Sequence, residues 1–175
     1  MGNGITEPKL AMTDDNIPVI IKTLNGPEGS LVLFNEYVCY RMATLLNIPM
    51  PVSGICFIDQ DTVIYNNCVN SKQFGYGFYS TIAEKDYFST RILDHNTYLY
   101  NMFFHNMTVS KKHFDELKIE FSNKITKETL YSILTDVPSV WMPTSRDTEA
   151  LIAYILYRIG HLDDICTTIT NYITK

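Results

Sequence analysis

The stretch from Val19 to Pro51 constrains this chain more than any other, because a strand, a glycine turn and a helix follow one another there without a gap. Val19, Ile20 and Ile21 are consecutive β-branched residues, which are stiff at χ1 and favour extended backbone. A buried strand is therefore expected over Pro18–Leu24, and it carries Lys22. Asn25-Gly26-Pro27-Glu28-Gly29 then interrupts with residues that make turns. Beyond it the apolar spacing becomes helical, with Leu33, Tyr37, Tyr40, Ala43 and Leu46 along one face and Ser30 as the expected cap. Asn47-Ile48-Pro49 should end that helix, since proline cannot continue one. Lys22 closes the strand, and Glu36 falls one to two turns into the helix, so the two can meet across the strand–helix seam. The same spacing also describes an ordinary surface ion pair worth under about 1 kcal/mol.

The rest of the first half adds strands. Residues 2–13 read as a glycine-rich turn leading into a short strand, and TDDN at 13–16 as a turn of residues that tolerate left-handed backbone. Val52–Asp59 and Asp61–Asn66 read as two further strands about a short turn, which makes a small antiparallel sheet with one helix packed on it. NSKQFGYGFYS, rich in glycine and aromatics, reads as an irregular connector.

From about Ala83 the period changes to that of helices. Phe88–Met107 is one candidate. Ser110 caps a second with Phe114, Leu117, Phe121 and Ile125, Thr126 opens a third that Pro138 stops, and Ser145 begins a last pair bent near Gly160. The expected fold class is α+β: a sheet-and-helix subdomain over residues 1–80, followed by an all-helical bundle over 81–175.

With 175 residues, 46% of them hydrophobic and 19% charged, the chain is long enough to bury a core without staples. The net charge of −5 and fourteen scattered Lys and Arg argue against binding a nucleic-acid backbone and suit a basic partner. Cys39, Cys56, Cys68 and Cys166 show no CxxC spacing and sit among apolar residues, as buried free thiols in a reducing, cytoplasmic compartment do. No apolar run reaches the roughly 18 residues of a membrane span, and MGNGITEP has neither a basic nor an apolar leader region, so neither a membrane nor export is expected.

Few constellations carry chemistry. His95, His105, His113 and His161 are scattered, and only the HxDD run at His161–Asp164 has ligand-like spacing. Trp141 reads as a core plug between helices. Twelve tyrosines and nine phenylalanines exceed what a small core needs, and Phe74, Tyr76, Phe78, Tyr79 and Tyr87 are candidates for an exposed recognition surface, or else for packing at the joint between the subdomains.

Taken in order, GNGITEP (2–8), VIIKTL (19–24), the block NGPEGSLVLFNEYVCYRMATLLNIPMP (25–51), FGYGFYS (74–80) and VPSVWM with LIAYILYRIGHLDDI (137–165) resemble the small HipA-like kinase domain family of bacteria. The resemblance implies a nucleotide site for ATP and magnesium. Gly2, Asn3 and Gly4 would cover the phosphates, Lys22 would hold them, and Glu36 would hold Lys22. It also shows a departure. Such kinases place an NxDRNxGN-type loop and a DHGH-like metal strand between the FG segment and the final helices, and only about a dozen residues separate Ser80 from Asp94 here. Asp94 in Asp94-His95-Asn96 is the one candidate for the metal or catalytic carboxylate, within a segment whose flanks read as helix.

The expectation is thus a degenerate, non-catalytic kinase-like protein that acts by binding another protein. Its Asn-, Ile-, Lys- and Tyr-leaning composition fits an AT-rich bacterial or phage genome, and an inhibitor of the anti-CRISPR or anti-defence kind is one instance. The rivals are a residual ATP-dependent kinase using Asp94 and an ATP-binding sensor using Lys22 and Glu36.

Overall fold

The protein is an α+β chain. Its computed structural model describes residues 8–24, 29–48, 50–64, 69–82 and 110–173, with four strands and five α-helices among them. The chain divides into two units, Met1–Ile82 with Tyr131–Thr148, and Ala83–Leu130 with Glu149–Lys175.

In the first unit, β1 (Lys9–Met12), β2 (Pro18–Lys22), β3 (Ser53–Ile58) and β4 (Gly75–Thr81) form an antiparallel sheet in the order β1-β2-β4-β3. The β1–β2 hairpin turns on Thr13–Ile17, with Asn16 at φ 59°, a left-handed position that asparagine tolerates. The second strand expected at Asp61–Asn66 reduces, among the described residues, to a single bridge between Ala11 and Ile64. The fourth strand comes from FGYGFYS instead, so the expected irregular connector is a strand paired on both sides. Gly77 explains the misleading composition: a Cβ there would lie 2.8 Å from the Lys22 carbonyl oxygen and closer still to Ile58. The strand needs a residue with no side chain at the point where composition argues against a strand.

Pleating divides the sheet into two faces. Ile20, Lys22, Phe78 and Ser80 share the face against α1 (Ser30–Leu45), which buries Leu33, Phe34, Tyr37 and Val38. Ala11, Val19, Ile21 and Ile58 share the other and form a buried cluster with Cys56, Ile64, Val69 and Tyr79 packed on it. That face is covered because residues 59–64 leave the end of β3 at one edge and reach β1 at the opposite edge, where the Met12 N–H donates to the Val63 carbonyl.

Helix α1 differs from expectation at its start. Gly29, at φ 71°, holds the cap position, and Ser30 is the first helical residue with no side-chain cap bond. Its end falls at the expected Asn47-Ile48: Asn47 is left-handed, its N–H donates to the Thr44 carbonyl, and the Ile48 N–H donates to that of Ala43, which together make a Schellman motif.

Segment 131–148 is held to this lobe by Trp141, the most buried large side chain among the described residues, which lies edge-on to Tyr37 at 6.5 Å and donates its indole N–H to the Tyr76 carbonyl at 3.2 Å. Arg41 adds bonds to the Tyr37 hydroxyl and the Asp136 carboxylate.

The remaining helices start where capping residues predict. Ser110 accepts from the His113 N–H at the start of α2 (Lys111–Lys124), and Thr126 exchanges bonds with Thr129 before α3 (Lys127–Thr135), a helix that spans the division between the units. Helix α4 (Ser145–Gly160) is capped by Thr144 and Asp147, and after His161 the chain continues as α5 (Leu162–Ile173). Lys118 of α2 pairs with Asp163 of α5.

Trp141→Ala is expected to cost about 3–5 kcal/mol in urea unfolding, as for other buried aromatics. Trp141→Phe, which strands the Tyr76 carbonyl, is expected to cost about 1–3 kcal/mol. Gly77→Ala should also destabilise, by forcing β2 away from β4.

Candidate functional site

The strand–helix seam does bring Lys22 and Glu36 together. Lys22 stands opposite Phe78 across the β2–β4 ladder, on the face that meets α1, and its ammonium donates to the Glu36 carboxylate. The pair is partly open to solvent, with side chains 21% and 38% exposed. One helical turn on from Glu36, Tyr40 packs edge-on against Phe78 at 6.4 Å. The seam encloses a cavity of about 160 Å3, lined by the ion pair together with Ile20, Cys39, Ser53 and Ser80. Ser53 closes one side, its hydroxyl donating to the Pro51 carbonyl at 3.0 Å and sharing a second hydrogen bond of 3.0 Å with the Ser80 hydroxyl.

Chemically, the seam offers one ammonium already neutralised by a carboxylate, two hydroxyls bonded to each other, and a small apolar recess. It can take a polar group at its mouth but does not enclose one. The residues expected to complete a nucleotide site, Gly2, Asn3 and Gly4, lie outside the described residues, as does Asp94. Among the described residues no group of three His, Cys, Asp or Glu side chains is arranged to hold a metal ion, and no helix is long and apolar enough to cross a membrane. His113 bonds Ser110, and His161 bonds the Tyr157 carbonyl, both at exposed helix ends; His95 and His105 lie outside the described residues.

The aromatic residues proposed as a surface do not share one. Alternation along β4 sends Tyr76 and Phe78 to the helix-facing side and Tyr79 to the other. Phe78 is buried, Phe74 and Tyr79 are half-buried, Tyr76 is 45% exposed, and Tyr87 lies outside the described residues. Register instead supplies a partner that the local sequence hid. Phe57 of β3 stands opposite Tyr76, is 65% exposed, and meets its ring edge-on at 5.6 Å. The alternation of VSGICFID was the available signal, but it does not say which strand lies alongside.

The cysteines split as well. Cys39 is exposed, contrary to expectation, although it borders the seam cavity, while Cys56 and Cys166 are half-buried. Burial pushes the Cys56 thiol up from 9.0 to about 11. The comparisons with known proteins add no relative: no family model matches the chain, and no curated protein or solved structure is significantly similar to it. The class that fold and site define is therefore a small α+β lobe with a strand–helix lysine–glutamate pair.

Two outcomes follow from this geometry. A double-mutant cycle on Lys22→Met and Glu36→Gln should give a coupling under about 1 kcal/mol, because the pair is partly solvated. Cys56 stays protonated in the folded chain while an unfolded thiol ionises near 9.0, so its contribution to stability is intact below that pH and falls as pH rises toward about 11. Urea midpoints at pH 8 and pH 10 should therefore drop more in the wild type than in Cys56→Ala.

Proposed function

We propose that this chain is a cytoplasmic, non-catalytic binding protein, a reduced form of the HipA-like kinase fold that acts by occupying a protein partner. The observation that carries the reading is the cavity beside Lys22 and Glu36. At about 160 Å3 it is well below the roughly 300–1,000 Å3 typical of sites that enclose a small organic ligand. Phosphoryl transfer also needs a positioned base and a metal clamp, and the short sequence between Ser80 and Asp94 has no room for the loop that supplies them in the resembled family.

The surface supports an anchor of a different kind. Phe57 and Tyr76 are large, exposed and fixed by strand register, so little freedom remains for them to lose on binding. The net charge of −5 favours a partner with a basic surface and speeds encounter with it. An inhibitor carried by a phage or other mobile element is the setting this combination of size, charge and shortened centre suits.

A second reading, an ATP-binding sensor, draws support from the Lys22–Glu36 pair itself, since that contact is what a kinase lobe uses to present its lysine to phosphates. Thermal-shift and calorimetric titrations with Mg-ATP on wild type and Lys22→Ala separate the two. The binding reading expects no saturable heat and no rise in Tm; a rise that disappears in Lys22→Ala would replace it with the sensor. In parallel, a Phe57→Ser/Tyr76→Ser variant should keep the wild-type melting profile and lose the protein that the wild type captures from its native host cells. Unchanged capture by that variant would remove Phe57 and Tyr76 from the interface.

A further inference from the structure

The sheet face turned away from α1 carries a cavity of about 930 Å3, near the upper end of the roughly 300–1,000 Å3 range of ligand sites. It opens between two chain segments, the β1–β2 turn on one side and the crossing segment after β3 on the other. Its lining is mixed: Tyr79 and the Cys56 thiol come from the sheet and the exposed Val63 from the crossing segment, beside Thr13, Asn16 and Thr62. Its rim is acidic, with Asp14 from the first segment and Asp59 and Asp61 from the second. No lysine, arginine or histidine is among the described residues that line it. The rim is held in place by its own bonds, since the Asp59 carboxylate accepts from the Asp61 N–H at 3.0 Å and from the Thr62 hydroxyl at 3.2 Å.

With no cation among the described residues of the lining, the three carboxylates set up a negative field at the mouth of a space that also presents Tyr79, Cys56 and Val63. A bare metal ion would leave those three side chains without a contact, and an uncharged apolar group would leave the carboxylates unanswered. An occupant with a cationic group beside an apolar one satisfies both, and the volume accommodates several side chains. We propose that this cavity docks a basic segment of the protein partner, with an apolar side chain against Tyr79 and Cys56 and a flanking lysine or arginine at Asp14, Asp59 and Asp61. The proposal rests on the reading that this chain acts by binding a protein, and it names the chemistry of the segment recognised.

The test uses the full chain and a short fluorescent peptide of alternating lysine and leucine, followed by anisotropy at physiological salt, with a glutamate–leucine peptide as its counterpart. The basic peptide should bind saturably and the acidic one should not. The Asp14→Asn/Asp59→Asn/Asp61→Asn variant should bind it roughly tenfold or more weakly, the sum expected of three partly exposed ion pairs. Asparagine at 59 keeps the oxygen that accepts from Asp61, so the turn is preserved. Val63→Arg, at an exposed position in the lining, places a cation in the cavity and should abolish binding. A control of equal charge change on other surfaces, Glu116→Gln/Glu120→Gln/Asp164→Asn, should leave affinity unchanged. Equal loss in that control, or full affinity in the rim variant, would overturn the proposal, as would displacement of nothing but a free amine such as spermidine from the rim. If the basic peptide fails to bind while host-protein capture still depends on Phe57 and Tyr76, the cavity assignment falls and the binding reading stands.

Discussion

Strand β4 is the constraint on which the first unit depends, because it is the strand that joins the β1–β2 hairpin to β3, pairing with β2 on one side and β3 on the other. Its register decides what meets what: Phe78 stands opposite Lys22, and Tyr76 opposite Phe57. Gly77 makes that register attainable by letting the Lys22 carbonyl and Ile58 approach a backbone with no side chain in the way. A slip of one residue would turn Phe78 out of the core and bring Tyr79 to the helix side, which the burial of both sheet faces forbids.

Packing and electrostatics differ in weight here. The burial of Trp141, Leu33, Ile58 and Ile125 is complete or nearly so, and single large side chains of that kind are worth about 2–5 kcal/mol each on truncation. The Lys22–Glu36 pair, partly solvated, is worth under about 1 kcal/mol. The ion pair is therefore a consequence of how α1 lies on the sheet and contributes little to holding it there. Trp141 does more, since it joins α1 and β4 to segment 131–148 through one ring contact and one hydrogen bond to a backbone carbonyl. The two sheet faces consequently differ in use. One is closed by α1 except for a small recess, and the other is crossed by a single loop that leaves a larger space with an acidic rim.

Much of this was legible in the residues. Val19–Ile21, the helical spacing after Gly29 and the caps at Ser110, Thr126 and Asn47 are local signals, and local signals survive whatever the rest of the chain does. The Lys22–Glu36 contact was legible for the same reason, because a strand and the helix directly after it leave few ways to pack. Ser30 was misassigned as a cap because Gly29 enters the helix from positive φ. FGYGFYS was unreadable as a strand because glycine at alternate positions removes the side chains that a strand pattern is recognised by. Cys39 looked buried because its neighbours are apolar, but it is those neighbours, Tyr37 and Val38, that are buried in the core.

The sequence by itself determined the α+β class, most element boundaries and the lysine–glutamate seam, since each rests on side-chain spacing within a short window. Only the tertiary structure decided that the fourth strand is Gly75–Thr81, that Phe57 and Tyr76 form the exposed aromatic pair, and that Asp14 shares a cavity rim with Asp59 and Asp61. Those depend on which strand lies beside which and on a loop crossing a whole sheet. Such contacts join residues distant in the chain, and no local spacing encodes them.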